Sequence, residues 1–136
     1  MTNLVVLMKW RHKHPEQYKQ QKIRYRLKHR RGSWARATLS RHRHKGYITE
    51  ITSSELTEIA RRTEHCYYCG CEFDWNPKHG KCLPNSPSMD RIDNDQIIRK
   101  TNIRIICHSC NTTKLDRTHE EFVEYCKTVT LLNDIM

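Results

Sequence analysis

Cys66-Tyr67-Tyr68-Cys69-Gly70 and Cys107-His108-Ser109-Cys110-Asn111, with 37 residues between the two Cys-x-x-Cys pairs, decide how this chain folds. Each short knuckle points two thiolates at one centre, and two knuckles complete a tetrahedral four-sulfur site of the kind zinc takes. The spacing predicts a structural zinc held by Cys66, Cys69, Cys107 and Cys110. Between the knuckles runs Ser88-Met89-Asp90-Arg91-Ile92-Asp93-Asn94, followed by Asn102. Asn111 comes directly after the last cysteine and Lys114 three residues later. A structural zinc needs neither the acidic segment nor the asparagines, so the zinc reads as scaffolding for a second, chemical site.

The composition around this stretch suits a small stapled domain. In 136 residues only 36% are apolar and four are glycine, so the core is small and a metal crosslink adds what burial alone leaves marginal. The seven cysteines are odd in number and four lie in knuckles, which favours reduced thiols and a cytoplasmic setting over a disulfide framework. No run reaches the roughly 18–20 apolar residues of a membrane span. Leu4-Val5-Val6-Leu7-Met8 is too short for a secretion signal, so the expectation is a chain neither secreted nor membrane-bound.

Charge is unevenly placed. The net charge is +10, and residues 9–46 hold 14 of the 25 Lys/Arg against a single acid, Glu16. Such a block is the electrostatic footprint of a polyphosphate binder, and nucleic acid is the expected partner. The candidate contacts are Arg24, Arg26, Lys28, Arg30, Arg31, Arg36, Arg41, Arg43 and Lys45. The bland alternative is a solvated basic arm, but helix punctuation argues against disorder. Pro15 and Glu16 suit a first turn, Gly32 a stop, Ser33 a cap for a helix over 34–45, and Gly46 its end. We therefore expect a basic helical DNA-binding arm over 1–46 and a zinc-stapled domain over 47–136.

Past the arm, residues 47–51 alternate like a short strand, and Thr52 with Glu55 makes a capping box opening a helix to about Thr63. The proline-bearing stretch 73–87 reads as a loop, with Cys82 a spare thiol in it. Strands are expected over 88–93 and 103–106, then a helix over about 109–115. Thr118 and Glu121 form a second capping box before a last helix that carries Phe122 and Val123.

The order Cys-x-x-Cys, Asp90, Asn102, Cys107-x-x-Cys110-Asn111-x-x-Lys114 resembles the HNH endonucleases. It is most similar to small phage and homing-type members with an Asp-Arg-(Ile/Val)-Asp first motif. The resemblance covers about half the chain. It implies an α+β fold with a ββα-metal core and hydrolysis of phosphodiester bonds in DNA. It also implies a catalytic Mg²⁺ or Mn²⁺ on Asp90 and Asn111, with Asn102 holding the loop that orients the base. A phage-encoded member would act in the bacterial cytoplasm as a monomer or homodimer.

Phosphodiester hydrolysis needs a cation on the phosphate and a base on water. A strand carboxylate and a helix-borne amide oxygen suit the sparse protein ligation of Mg²⁺. Most HNH nucleases follow the Asp with a His that serves as base, and this chain has Arg91 there. A guanidinium stays protonated, so Arg91 is expected to clamp the scissile phosphate. Asp93, on the same strand face if the strand is regular, and His79 in the preceding loop are the candidate bases; His108 is placed less well. The competing outcome is a catalytically degenerate zinc-containing DNA-binding protein.

Overall fold

The computed structural model describes residues 4–76, 81–93 and 97–134 and shows a mixed α+β chain of six helices and two small sheets. The order is α1 (Leu4–Lys13), α2 (Pro15–Lys28), α3 (Arg30–His44), β1 (Ile48–Thr49), α4 (Ser53–Arg61), β2 (Pro87–Arg91), β3 (Ile97–Ile98), β4 (Ile103–Cys107), α5 (His108–Lys114) and α6 (His119–Asp134). A single 3₁₀ turn, Lys100–Asn102, leads into β4.

The basic block divides physically between α2 and α3. α1 and α2 bury no residue, and in α2 Ile23, Tyr25 and Leu27 give too thin an apolar seam to dock a helix. α3 differs: Ala35, Thr38 and Leu39, at the i, i+3, i+4 spacing of one helix face, are buried against α4. Full burial of a leucine such as Leu39 contributes about 1.5–3 kcal/mol. The break between the basic helices falls at His29, and the expected stop, Gly32, lies inside the first turn of α3. There a Cβ would stand 3.4 Å from the Arg36 guanidinium and 3.9 Å from Thr57 on α4, ordinary contact distances, so α3 runs through this glycine instead of ending at it.

α4 starts as the sequence predicts. Thr52 Oγ1 accepts from the Glu55 N–H at 3.2 Å, and the Glu55 carboxylate accepts from the Thr52 N–H at 2.9 Å. Thr52→Ala should cost about 1 kcal/mol of stability, read as a lowered midpoint in urea unfolding. An unchanged midpoint would show that the cap is redundant.

Two buried clusters hold the chain together. One joins Ala35, Leu39, Ile51, Leu56, Met89, Ile98 and Ile103. The second joins Ala60, Phe73, Trp75, Ile105 and Ile106 to Cys66 and Cys107. Trp34 packs against both and meets Trp75 edge-on at 5.3 Å, while its indole N–H donates to the Pro87 carbonyl at 3.1 Å.

β2 and β4 pair antiparallel, with Asp90 opposite Arg104 and Met89 opposite Ile105. Because side chains alternate across a strand, Met89, Ile103 and Ile105 face the α3–α4 core, and Asp90 and Arg104 face α5. β1 and β3 form a second, parallel pair of two residues each. The strand expected over 88–93 stops at Arg91, where Ile92 and Asp93 bend away.

Candidate functional site

The four knuckle cysteines come together as the sequence requires. One Sγ from each of Cys66, Cys69, Cys107 and Cys110 lies within 4.8 Å of the others, close enough to hold a metal ion. Cys69 Sγ and Cys107 Sγ are 3.7 Å apart, near the about 3.8 Å edge of a tetrahedron with 2.3 Å metal–sulfur bonds. Backbone N–H groups support the sulfurs: Cys107 donates to Cys66 Sγ at 3.2 Å and Cys110 to Cys107 Sγ at 3.3 Å. Gly70 turns the first knuckle at φ +74, a conformation that a Cβ would strain.

The thiols divide in acidity. Burial opposes ionisation of Cys69, yet hydrogen bonds from the Cys71 N–H and from neighbouring thiols bring it down to about 7. Burial pushes Cys107 and Cys110 up, and for Cys110 the nearby Cys66 and Cys107 add to the rise. A divalent cation is what lets all four ionise together. Cys71, which the knuckle pattern passes over, lies beside the cluster, hydrogen-bonded to Cys69 and pushed up to about 12 chiefly by burial. Cys82 is exposed and outside the four.

The second knuckle positions the helix behind it. Cys107 caps α5, so the helix bearing Asn111 and Lys114 starts on the cluster itself. Lys114 then reaches back to β2, its Nζ 3.0 Å from Asp90 Oδ1. Both partners are buried, Lys114 at 1% and Asp90 at 6% exposure. The other carboxylate oxygen, Asp90 Oδ2, is buried with no hydrogen-bond partner among the described residues. An unpaired buried acceptor costs about 1–3 kcal/mol, and more when charged. Such an oxygen fits a hard cation, and Asn111, one turn before Lys114 on α5, supplies the amide oxygen type that Mg²⁺ also takes. Leu115 follows Lys114 at φ +55, a strained conformation for a non-glycine residue, at the end of the helix that buries this lysine.

Asn102 is buried and brackets Asp93. Its Oδ1 accepts the Asp93 N–H at 2.7 Å, its Nδ2 donates to the Asp93 carbonyl at 3.2 Å, and its own carbonyl accepts the Ile92 N–H at 3.0 Å. Asp93 itself is exposed and lies past the end of β2, so strand alternation does not set its side, contrary to the regular-strand expectation. His79 lies outside the described residues. Arg91 points away from Asp90. Its guanidinium stacks 4.4 Å over the Tyr47 ring and donates to Tyr47 Oη at 3.2 Å, on the α3 side of the sheet.

Alongside the outer edge of β2 lies a groove of about 990 Å³. It brings together Arg26, Arg30, Arg36, Arg41 and Lys45 from the expected contacts, adds Lys22 and Lys81, and reaches Asn111. Arg24, Lys28, Arg31 and Arg43 do not line it. Arg31 is engaged with Glu64 at 2.6 Å and lies 4.9 Å over Trp75, and Arg43 donates to Thr49.

Sequence reasoning missed the other occupants of the Asp90 face. Tyr68 Oη lies 3.1 Å and Arg104 Nη1 3.3 Å from His119 Nδ1, and the Arg104 guanidinium covers Tyr67 at 4.1 Å. Burial raises the Tyr68 pKa, with the negative charges of Asp90 and Glu120 adding to the rise. The one signal was register: a hairpin of β2 and β4 places residue 104 across from residue 90.

No family model, no curated protein and no solved structure matches the chain. No described helix is long and apolar enough to cross a membrane.

Proposed function

We propose that this chain is a metal-dependent endonuclease acting on double-stranded DNA, with a ββα-metal core of HNH type formed by β2, β4 and α5. The observation that carries it is the placement of Asn111. It follows a cluster cysteine, sits one turn from the lysine paired with Asp90, and opens on a groove walled by seven Lys/Arg side chains. In this reading the four-cysteine cluster holds zinc and keeps α5 fixed against the hairpin. Asp90 and Asn111 would hold Mg²⁺ or Mn²⁺, which polarises the phosphate and stabilises the leaving oxygen. Asp93, kept in place through its backbone by Asn102, takes the proton of the attacking water.

Supercoiled plasmid incubated with Mg²⁺ or Mn²⁺ tests the proposal, and nicked or linear product is the expected outcome. A second reading, a DNA-binding protein without chemistry, is favoured by one observation: the Lys114 ammonium already neutralises Asp90. Plasmid left intact by protein that retards it on a gel would support that second reading.

The basic helices should supply affinity more than sequence choice. Excising residues 1–28 removes eight Lys/Arg and no buried residue of α1 or α2, so the remainder keeps its core. Each lost phosphate contact should reduce the slope of log affinity against log salt by about 0.9. An unchanged slope would place the DNA grip elsewhere.

A further inference from the structure

We infer that Arg104 is the phosphate-binding cation of the Asp90 site, a role that rests on the nuclease reading above. Arg104 stands directly across the antiparallel pair from Asp90, so both side chains leave the same face with Cβ atoms about 4.5–5.5 Å apart. Asp90 nevertheless pairs with Lys114. The face thus carries two fixed cations, Lys114 and Arg104, against one buried carboxylate, with Glu120 exposed at the start of α6. That imbalance is what an anion corrects, and a DNA phosphodiester is an anion whose recognition a planar guanidinium favours.

The guanidinium is also held in advance. It rests 4.1 Å over Tyr67 and 5.7 Å from Tyr68, with Nη1 directed at His119 Nδ1. A guanidinium only donates, so in this contact Arg104 gives one N–H to Nδ1, which Tyr68 Oη also approaches at 3.1 Å. That leaves four of the five Arg104 N–H groups for oxygens other than His119. Ordering before binding reduces the entropy lost when the ligand arrives. Arg91, the phosphate clamp that the sequence suggests, is committed to Tyr47 on the opposite face, so Arg104 is the arginine placed to contact a phosphate beside Asp90.

The competing role is a latch in which Arg104 merely ties α6 to the first knuckle through His119. Arg104→Met removes the charge and the latch, and His119→Gln disturbs the latch while keeping the charge. Arg61→Met, an exposed cation paired with Glu58 on α4, controls for general charge loss. The full-length proteins are compared by DNA-duplex anisotropy across a salt series, by single-turnover cleavage at saturating DNA with Mg²⁺, and by thermal melting. Arg104→Met should lower the salt slope by about one and the cleavage rate about 10²–10³-fold. His119→Gln should keep the slope, and Arg61→Met should keep both.

Arg104→Met that binds and cuts like wild type overturns the inference while leaving the nuclease reading standing. Equal losses in Arg104→Met and His119→Gln, with matching drops in melting temperature, overturn it in favour of the latch. A wild type that neither binds nor cuts DNA refutes the nuclease reading, and this inference with it.

Discussion

Cys107→Ser is expected to cost the chain its metal and, with it, the fold of the β2–β4–α5 region. Cys107 is the most heavily used of the four thiols. It lies 3.7 Å from Cys69, caps α5 through the Cys110 N–H, and ends the strand that carries Arg104. A serine can still cap the helix, but its neutral hydroxyl is a poor substitute for a thiolate on zinc. Structural zinc binding is worth about 10–16 kcal/mol in small zinc-finger peptides, while a whole domain is stable by only about 5–15 kcal/mol. Loss of the metal therefore outweighs the rest of the fold. Wild type should carry one zinc per chain by elemental analysis, and Cys107→Ser none, with loss of near-UV circular dichroism. Cys82→Ser and Cys126→Ser, both exposed, should stay within about 0.5 kcal/mol of wild type. Folded wild type with almost no zinc would refute the assignment of the cluster.

Legibility from sequence followed the range of the interactions. The knuckles and both capping boxes depend on residues two to four apart, so a linear pattern contains them whole. Thr118 and Glu121 hydrogen-bond reciprocally at the start of α6 just as Thr52 and Glu55 do before α4. The helix break at His29 was hidden because Gly32 is a stronger stop signal by composition, yet α3 runs straight through it. β3 was illegible for a different reason. Two residues have no periodicity, and Ile97–Ile98 becomes a strand only by meeting Ile48–Thr49 from far along the chain.

The site divides along the same line. Asp90, Asn102 and Asn111 stand out in the sequence by their motif. Arg104, His119 and the buried state of Lys114 do not, because each takes its meaning from a partner 15 to 51 residues away. Arg91 shows the cost of reading adjacency as proximity, since neighbours on a strand face opposite ways.

Asp90→Ala should abolish cleavage, and the buried ion pair decides how that result is to be interpreted. The change removes the one carboxylate assigned to the catalytic metal, so the rate should fall about 10³-fold or more. It also strands the Lys114 ammonium at 1% exposure, and breaking a buried pair from one side destabilises by about 3–5 kcal/mol. Lost activity in Asp90→Ala could then come from unfolding alone. Asp90→Asn keeps an oxygen for Lys114 and the side-chain volume, while removing the charge that a metal needs. Pairing Asp90→Leu with Lys114→Met replaces both charges with apolar groups, which for buried pairs is often neutral or stabilising. The expected pattern is a melting temperature that falls for Asp90→Ala, recovers in the double variant, and changes least for Asp90→Asn. Plasmid cleavage should be lost in all three, and DNA retention kept wherever the fold is kept. A well-folded Asp90→Asn protein that cuts plasmid at the wild-type rate would leave Asp90 as half of a structural ion pair and nothing more.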